Sequence, residues 1–387
     1  MEMLQEEHRH LLDKIAQNEG FQKYDIEFQD TQKEGFLSNI FLVTIKDDTS
    51  SKRLDLIMKV NQEKNFQNLK IDTLYKKEIY IYETVFRKFD EFIKESGSDM
   101  SIGVPKYLGS WGHSCIVLEN LKVKEYRLWN KQVPMDRNHL IEGLKEFARF
   151  HSVSLAMKTK QPEVFQSLVL DGFKPFASTP ENLKQLVKAC VKAGAELAGD
   201  DEESKEVLDE MEAIGEEFIL KTMADEKYHL VLAHGDCWCN NILYKYKDVT
   251  MTPVDAMLVD FQIAKPGSPI RDVAYFLFVN SSKEDLQIYK DYLKIYYEEL
   301  SSYLQQLSCE IKYCFSQDTF EDHWKAIAKY GLYISMLILK LTGLGKENAV
   351  SKDFYEQFQM SLDSLEFKVV RQRIIDLLRF AKQECIV

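Results

Sequence analysis

The chain has 387 residues, 45% of them apolar and 29% charged, with 62 acidic against 50 basic side chains and a formal net charge of −12. That apolar share supports a large packed core and excludes disorder as the main state. The acidic balance excludes general nucleic-acid binding, which needs a basic face, so an anionic ligand must meet a local cluster of positive charge.

The first residues, Met1 to His8, are charged and lack an apolar core, so they do not read as a secretory signal. Between residues 20 and 120 come short runs rich in branched residues: Ile40 to Ile45, Leu54 to Val60 and Ser114 to Leu118. Each has strand length. Between the second and third, Asp72 to Phe89 has helical spacing through Leu74, Ile79, Ile81, Tyr82 and Val85. The first 120 residues therefore predict a small antiparallel sheet with one helix. Beyond them, helical periodicity without an internal proline covers 137–158, 181–224, 282–307 and 321–342. Two short strands interrupt it, Leu230 to Leu232 and Ala256 to Val259. The expected fold is α+β in two lobes, 1–119 and 120–387. The acidic run Gly199 to Glu203 reads as a solvated loop and helix start. The most apolar helical stretch, Tyr330 to Leu339, is too short to span a bilayer. Seven irregularly spaced cysteines favour reduced thiols in the cytosol over a disulfide framework.

The segment that carries chemistry is His234-Gly235-Asp236-Cys237-Trp238-Cys239-Asn240-Asn241-Ile242-Leu243. It follows one apolar strand, and a second strand ends in Leu258-Val259-Asp260-Phe261. Phosphoryl transfer needs a carboxylate to accept the proton of an attacking hydroxyl. It also needs oxygen ligands that hold Mg²⁺ on the phosphates. The step from Asp236 to Asn241 lets one loop serve both needs, with Asp260 as the second metal ligand. Upstream, Lys59 interrupts the apolar run Leu56-Ile57-Met58-Lys59-Val60. A lysine there calls for a phosphate and a carboxylate. Glu78, on the expected helix, is its ion-pair candidate. Leu118-Glu119-Asn120-Leu121 ends a strand where the lobes should meet, and the backbone at Glu119 and Leu121 can hydrogen-bond an adenine edge.

These residues resemble the choline-kinase and aminoglycoside-phosphotransferase branch of the protein-kinase-like fold. More narrowly, the chain is similar to the ecdysteroid-kinase-like (CHK-kinase-like) family of insects. The run from His234 to Lys245 carries that match. So do Leu258 to Gln262, Gly267-Ser268-Pro269 with Asp272, Tyr275-Phe276-Leu277, Phe150-His151 and Val117 to Leu121. The resemblance implies Asp236 as catalytic base, Asn241 and Asp260 as magnesium ligands, and Lys59 on the α- and β-phosphates with Glu78 orienting it. Asp272 is implied as a structural acceptor that steadies the catalytic loop. The family's phosphate-covering loop resembles G-E-N-[FY]-x-S. Here Lys33-Glu34-Gly35-Phe36-Leu37-Ser38 aligns with it, so Lys replaces the leading Gly and Ser38 still offers its N–H and hydroxyl to phosphate.

The implied protein is a cytoplasmic, monomeric, ATP- and Mg²⁺-dependent small-molecule O-kinase. Its acceptor would be an apolar alcohol such as an ecdysteroid, phosphorylated at a side-chain hydroxyl such as C22 to an inactive conjugate. Neither nucleic acid nor membrane is expected as a partner. Xenobiotic alcohols, phenols or choline remain alternative acceptors, and a catalytically dead ATP-binding pseudokinase is the alternative of another class. His234 is expected to brace its loop. A zinc site on His234, Cys237 and Cys239 lacks a fourth ligand, so the two thiols read as packed. Trp129, Phe173, Phe176, Trp324, Tyr330 and Tyr333 are candidates for an apolar acceptor wall, although each reads better as core.

Overall fold

The computed structural model describes residues 6–30, 38–61, 71–247, 251–343 and 365–387. Helix α1 (Glu6–Asn18) places Leu11, Leu12, Ile15 and Ala16 on one buried stripe. Five strands follow: β1 (Tyr24–Asp30), β2 (Ser38–Asp47), β3 (Arg53–Asn61), β4 (Tyr107–Trp111) and β5 (Cys115–Glu119). They form one antiparallel sheet in the order β1-β2-β3-β5-β4. The alternation of β3 sends Leu56, Met58 and Val60 to the face that packs on Leu11, Leu12 and Ile15 of α1. Lys59 therefore points to the opposite face.

That face receives a single helical segment built of α2 (Ile71–Tyr80), a wider turn at Ile81–Phe86 and α3 (Arg87–Glu95). Tyr75, Ile79, Tyr82, Val85, Phe86 and Phe89 recur at helical spacing and are buried. Glu78 shares that face and is fully buried. The expected helix is present and runs further than Phe89.

The remainder is mostly helical: α4 (Arg137–Lys160), α5 (Pro162–Phe165), α6 (Pro180–Ala198), α7 (Glu202–Ala224), α8 (Pro269–Asn280), α9 (Lys283–Gln287), α10 (Tyr289–Gln306), α11 (Ile311–Cys314), α12 (Gln317–Thr342) and α13 (Leu365–Gln383). The acidic run Gly199 to Glu203 is the loop and helix start expected of it: it separates α6 from α7, and Asp201 caps α7 by accepting from the Ser204 N–H. One expectation needs correction: residues 282–307 divide at Ile288 into α9 and α10. Short strands fill the loops: β6 (Arg127–Leu128), β7 (Val231–Ala233), β8 (Ile242–Lys247), β9 (Thr252–Leu258) and β10 (Lys265–Gly267). β8 pairs with β6 and β9, and β10 with β7.

Helix α8 is buried along its whole length. Its close partner is α12, and Gly331 makes their approach possible. A Cβ at Gly331 would lie 2.6 Å from the backbone of Ala274 and Tyr275. No helix among the described residues is long and apolar enough to cross a membrane.

Candidate active site

Lys59 projects from β3 onto Glu78 of α2, with Nζ 2.9 and 2.8 Å from the two carboxylate oxygens. The same ammonium reaches Asp260 Oδ1 at 3.2 Å, 201 residues away in sequence. Burial alone would lower the Lys59 pKa, but Asp260 and Glu78 outweigh it and hold the ammonium above its ordinary value. Asp260 itself has left-handed backbone, φ 67°. Its neighbour Phe261 is fully buried and packs edge-on against Phe86 and Tyr82, centroids 4.8 and 5.9 Å apart. The aromatic contact ties the loop that carries Asp260 to the helix that carries Glu78.

Asp236 follows β7 in the loop His234-Gly235-Asp236. Gly235 has φ 82°, and a Cβ there would sit 2.9 Å from the Ile263 carbonyl, so both conformation and space require glycine. Both carboxylate oxygens of Asp236 are engaged. Tyr275 Oη donates to Oδ1 at 2.9 Å and Asn241 Nδ2 to Oδ2 at 2.7 Å. Asn241 Nδ2 also donates to the Asp236 carbonyl at 3.1 Å. This leaves the Asn241 amide oxygen without a protein donor among the described residues. Burial and the nearby Asp260 charge push the Asp236 carboxyl up to about 6.

A buried network holds the loop. Asp272, at the start of α8, accepts from the His234 N–H at 2.6 Å, the Gly235 N–H at 3.0 Å and His151 Nε2 at 3.1 Å. Burial would raise its pKa, but the His151 hydrogen bond and charge, with His234 and the Gly235 N–H, hold it below the usual carboxylate value. His151 Nδ1 takes a bond of 2.8 Å from Tyr296 Oη. His234 Nδ1 accepts from the Asp236 N–H at 3.2 Å, so its Nε2 carries the proton that meets the Val259 carbonyl at 3.0 Å. Burial lowers the His234 pKa, in keeping with a neutral ring that links the two loops. Cys237 and Cys239 are buried thiols, and burial pushes Cys239 up to about 12.

Asp272→Asn is expected to destabilise the protein by roughly 3 kcal/mol, since an amide donor would then face one of the two backbone N–H groups. Urea unfolding checks this. An unchanged midpoint would show that the loop is held by other contacts.

Lys59, Glu78, Asp236, Asn241 and Asp260 thus converge, as their spacing predicts. Glu119 ends β5, and its side chain accepts from the Lys106 N–H at 2.9 Å and pairs with Lys124. Leu121 is buried and opens a short helical turn, Leu121–Lys124, capped by Asn120. Residues 33–37 and the Ser38 side chain lie outside the described residues; the Ser38 backbone starts β2.

The six aromatics suggested for an acceptor wall do not share one surface, although Phe173 and Phe176 pack on each other. Trp129 packs on His139, Phe173 and Phe176 on Tyr80, Tyr330 on Arg271, and Tyr333 donates to the Met211 carbonyl. Trp324 stacks on Tyr289 in a cavity of about 710 Å³ lined by α10, α12 and the segment Glu384 to Ile386. None of the five converging residues lines that cavity. Sequence reasoning missed the Tyr275 hydroxyl as a partner of Asp236, because no spacing rule links a loop to a helix 39 residues later.

The arrangement supplies a carboxylate able to take a proton, two oxygen ligands able to hold a divalent cation, and a fixed ammonium for an anionic group. The model of the ecdysteroid kinase-like family matches residues 32–309. No curated protein sequence matches significantly. Among solved structures, choline kinase from Cryptosporidium parvum Iowa II aligns with a TM-score of 0.50 at 13% identity, covering 98% of this chain and 98% of that one. The GDP complex of wild-type aminoglycoside 2'-phosphotransferase-IIIa aligns with a TM-score of 0.45 at 13% identity, over 96% of this chain and 99% of that one. The choline kinase likeness shows the expected α+β protein-kinase-like fold. Matched over most of its length, this chain belongs to the ecdysteroid kinase-like family and is a phosphotransferase acting on small-molecule hydroxyl groups.

Proposed function

We propose that the protein uses ATP and Mg²⁺ to phosphorylate an ecdysteroid at a side-chain hydroxyl such as C22. In this reading residues 1–119 cover the nucleotide and residues 120–387 carry the catalytic loop and the acceptor pocket. The observation that carries it is the convergence of Lys59, Asp260 and Asp236 from three distant stretches of chain. The ecdysteroid itself rests on the family alone.

Asn241 and Asp260 fit a magnesium ion. The first offers an amide oxygen that meets no donor among the described residues, and the second a carboxylate whose side chain is 39% exposed. Such an ion neutralises phosphate charge. Lys59, held by Glu78, binds phosphate oxygens that the acidic chain otherwise repels. The Glu119 and Leu121 backbone accepts the adenine, and Ser38 offers its N–H and hydroxyl to phosphate. Asp236 orients the acceptor hydroxyl and takes its proton as the oxygen bonds to the γ-phosphorus and ADP leaves. Tyr275 and Asn241 fix the carboxylate for that transfer. The seven free cysteines suit a reducing cytosol, and we take the working unit to be a monomer.

The pH profile follows from the base. Asp236 accepts a proton only when ionised, and its carboxyl titrates at about 6. Activity per free enzyme, kcat/KM, is expected to fall as pH drops through that value, about tenfold per pH unit below it. A profile flat through that region would remove Asp236 from the proton transfer. The acceptor is tested by paired ecdysteroids with and without the 22-hydroxyl. Turnover of the first alone supports the assignment. Equal turnover moves the reaction to another hydroxyl, and turnover of choline or phenols alone replaces the steroid.

A further inference from the structure

Three cations close to the catalytic loop, two of them buried, have no ion-pair partner among the described residues. Lys77, beside Glu78 on α2, is 7% exposed, and Arg271, beside Asp272 on α8, is 4% exposed. Lys265 begins β10 and is half-buried, opposite Ala233 of β7, the residue before His234. Among the described residues neither lysine ammonium has a hydrogen-bond acceptor or an ion-pair partner. Arg271 Nη2 donates to Tyr330 Oη at 2.9 Å and the guanidinium stacks on that ring at 4.3 Å. Its Nε is buried with no acceptor among the described residues. A Cβ on Gly267 would lie 3.2 Å from Arg271 Nη1, so the guanidinium lies against β10.

Buried cations without partners are costly and rare. Asp272, whose charge acts against the shift of Lys265, is already committed to His234, Gly235 and His151. The cations also act on one another. Burial and Arg271 bring Lys77 down to about 8, and burial, Arg271 and Lys77 together press Lys265 well below its ordinary value. Guanidinium and ammonium donors gathered from three elements suit the several acceptor oxygens of one small anion.

We propose that Lys77, Lys265 and Arg271 form an oxyanion subsite that takes a sulfate, phosphate or carboxylate group. The site stands on side chains that the transfer reaction does not use, so it does not depend on the acceptor assignment. Its anion is either a free inorganic ion or a group carried by an organic ligand.

The test is thermal unfolding of the full chain, Lys77→Met and Lys265→Met, in sodium sulfate and in sodium chloride at matched ionic strength. Sulfate strengthens burial in any protein, so the excess gain of the wild type over the variants is the signal. The expected result is a sulfate gain in the wild type that shrinks in both variants. In chloride the variants should be at least as stable as the wild type, because each loses an unpaired buried charge. Equal sulfate gains in all three proteins would overturn the site. If the variants do not fold, equilibrium dialysis of the wild type with labelled sulfate decides: one saturable class of binding displaced by inorganic phosphate supports the site, and non-saturable binding overturns it. A steroid sulfate that displaces the label better than inorganic sulfate would mark a ligand-borne anion, and the reverse order a free ion.

Discussion

Asp236→Asn is expected to lower turnover by roughly 10²–10⁴-fold while leaving acceptor and nucleotide affinity within a few-fold. The amide is isosteric, and it keeps one oxygen to accept from Tyr275 or Asn241. It has no lone pair basic enough to take a proton from an alcohol. Binding survives because an apolar acceptor is held by burial of its rings, at roughly 25 cal/mol per Å² of apolar area, and not by one carboxylate. The remaining activity would report positioning and charge stabilisation alone. Steady-state kinetics and calorimetry on the same preparation check both halves. Near-normal turnover would show that positioning carries the reaction without a base.

Asp260→Asn is expected to weaken Mg·ATP binding about 100-fold, which corresponds to ~2.7 kcal/mol, with little change in unfolding midpoint. Two features keep the fold intact. The Asp260 side chain is partly exposed, and its left-handed backbone is one that asparagine adopts readily. Lys59 also retains Glu78 as partner. What is lost is the charge that a divalent cation needs. The same change removes the negative field that raises Asp236, so the Asp236 carboxyl should titrate at lower pH in the free variant. Calorimetric Mg·ATP affinity equal to that of the wild type would refute the metal-ligand role.

The elements that place these groups were legible to different degrees. Strand β3 could be read because an apolar run of strand length surrounds a single lysine, and the pleat of that strand then places Lys59 on the helix side. The loop from His234 to Asn241 and the strand ending at Asp260 could be read because the spacing of three polar residues between apolar runs is improbable as ordinary turns. Helix α1 is not among the expected elements, although Leu11, Leu12 and Ile15 carry its period; the many charged residues around them dilute the signal. Strand β1 was missed as well, despite Tyr24, Ile26 and Phe28 alternating with polar residues. The break before α7 could be read from the acidic run Gly199 to Glu203, in which Asp201 is the cap. The contact of Tyr275 with Asp236 needs α8 packed on the loop after β7, and that of His151 with Asp272 needs α4 packed on α8. No local signal encodes them. The proposed acceptor wall failed for the same reason, since aromatic composition says nothing about which rings share a surface.

The central claim is phosphoryl transfer to an alcohol. Its most direct test is mass spectrometry of the purified protein incubated with Mg·ATP and a panel of ecdysteroids, choline, phenols and aminoglycosides. The expected result is an ecdysteroid product heavier by one phosphoryl group, formed with ADP in equal amount and strongly reduced with Asp236→Asn. ADP release without any phosphorylated alcohol, or the same product yield from Asp236→Asn, would contradict it.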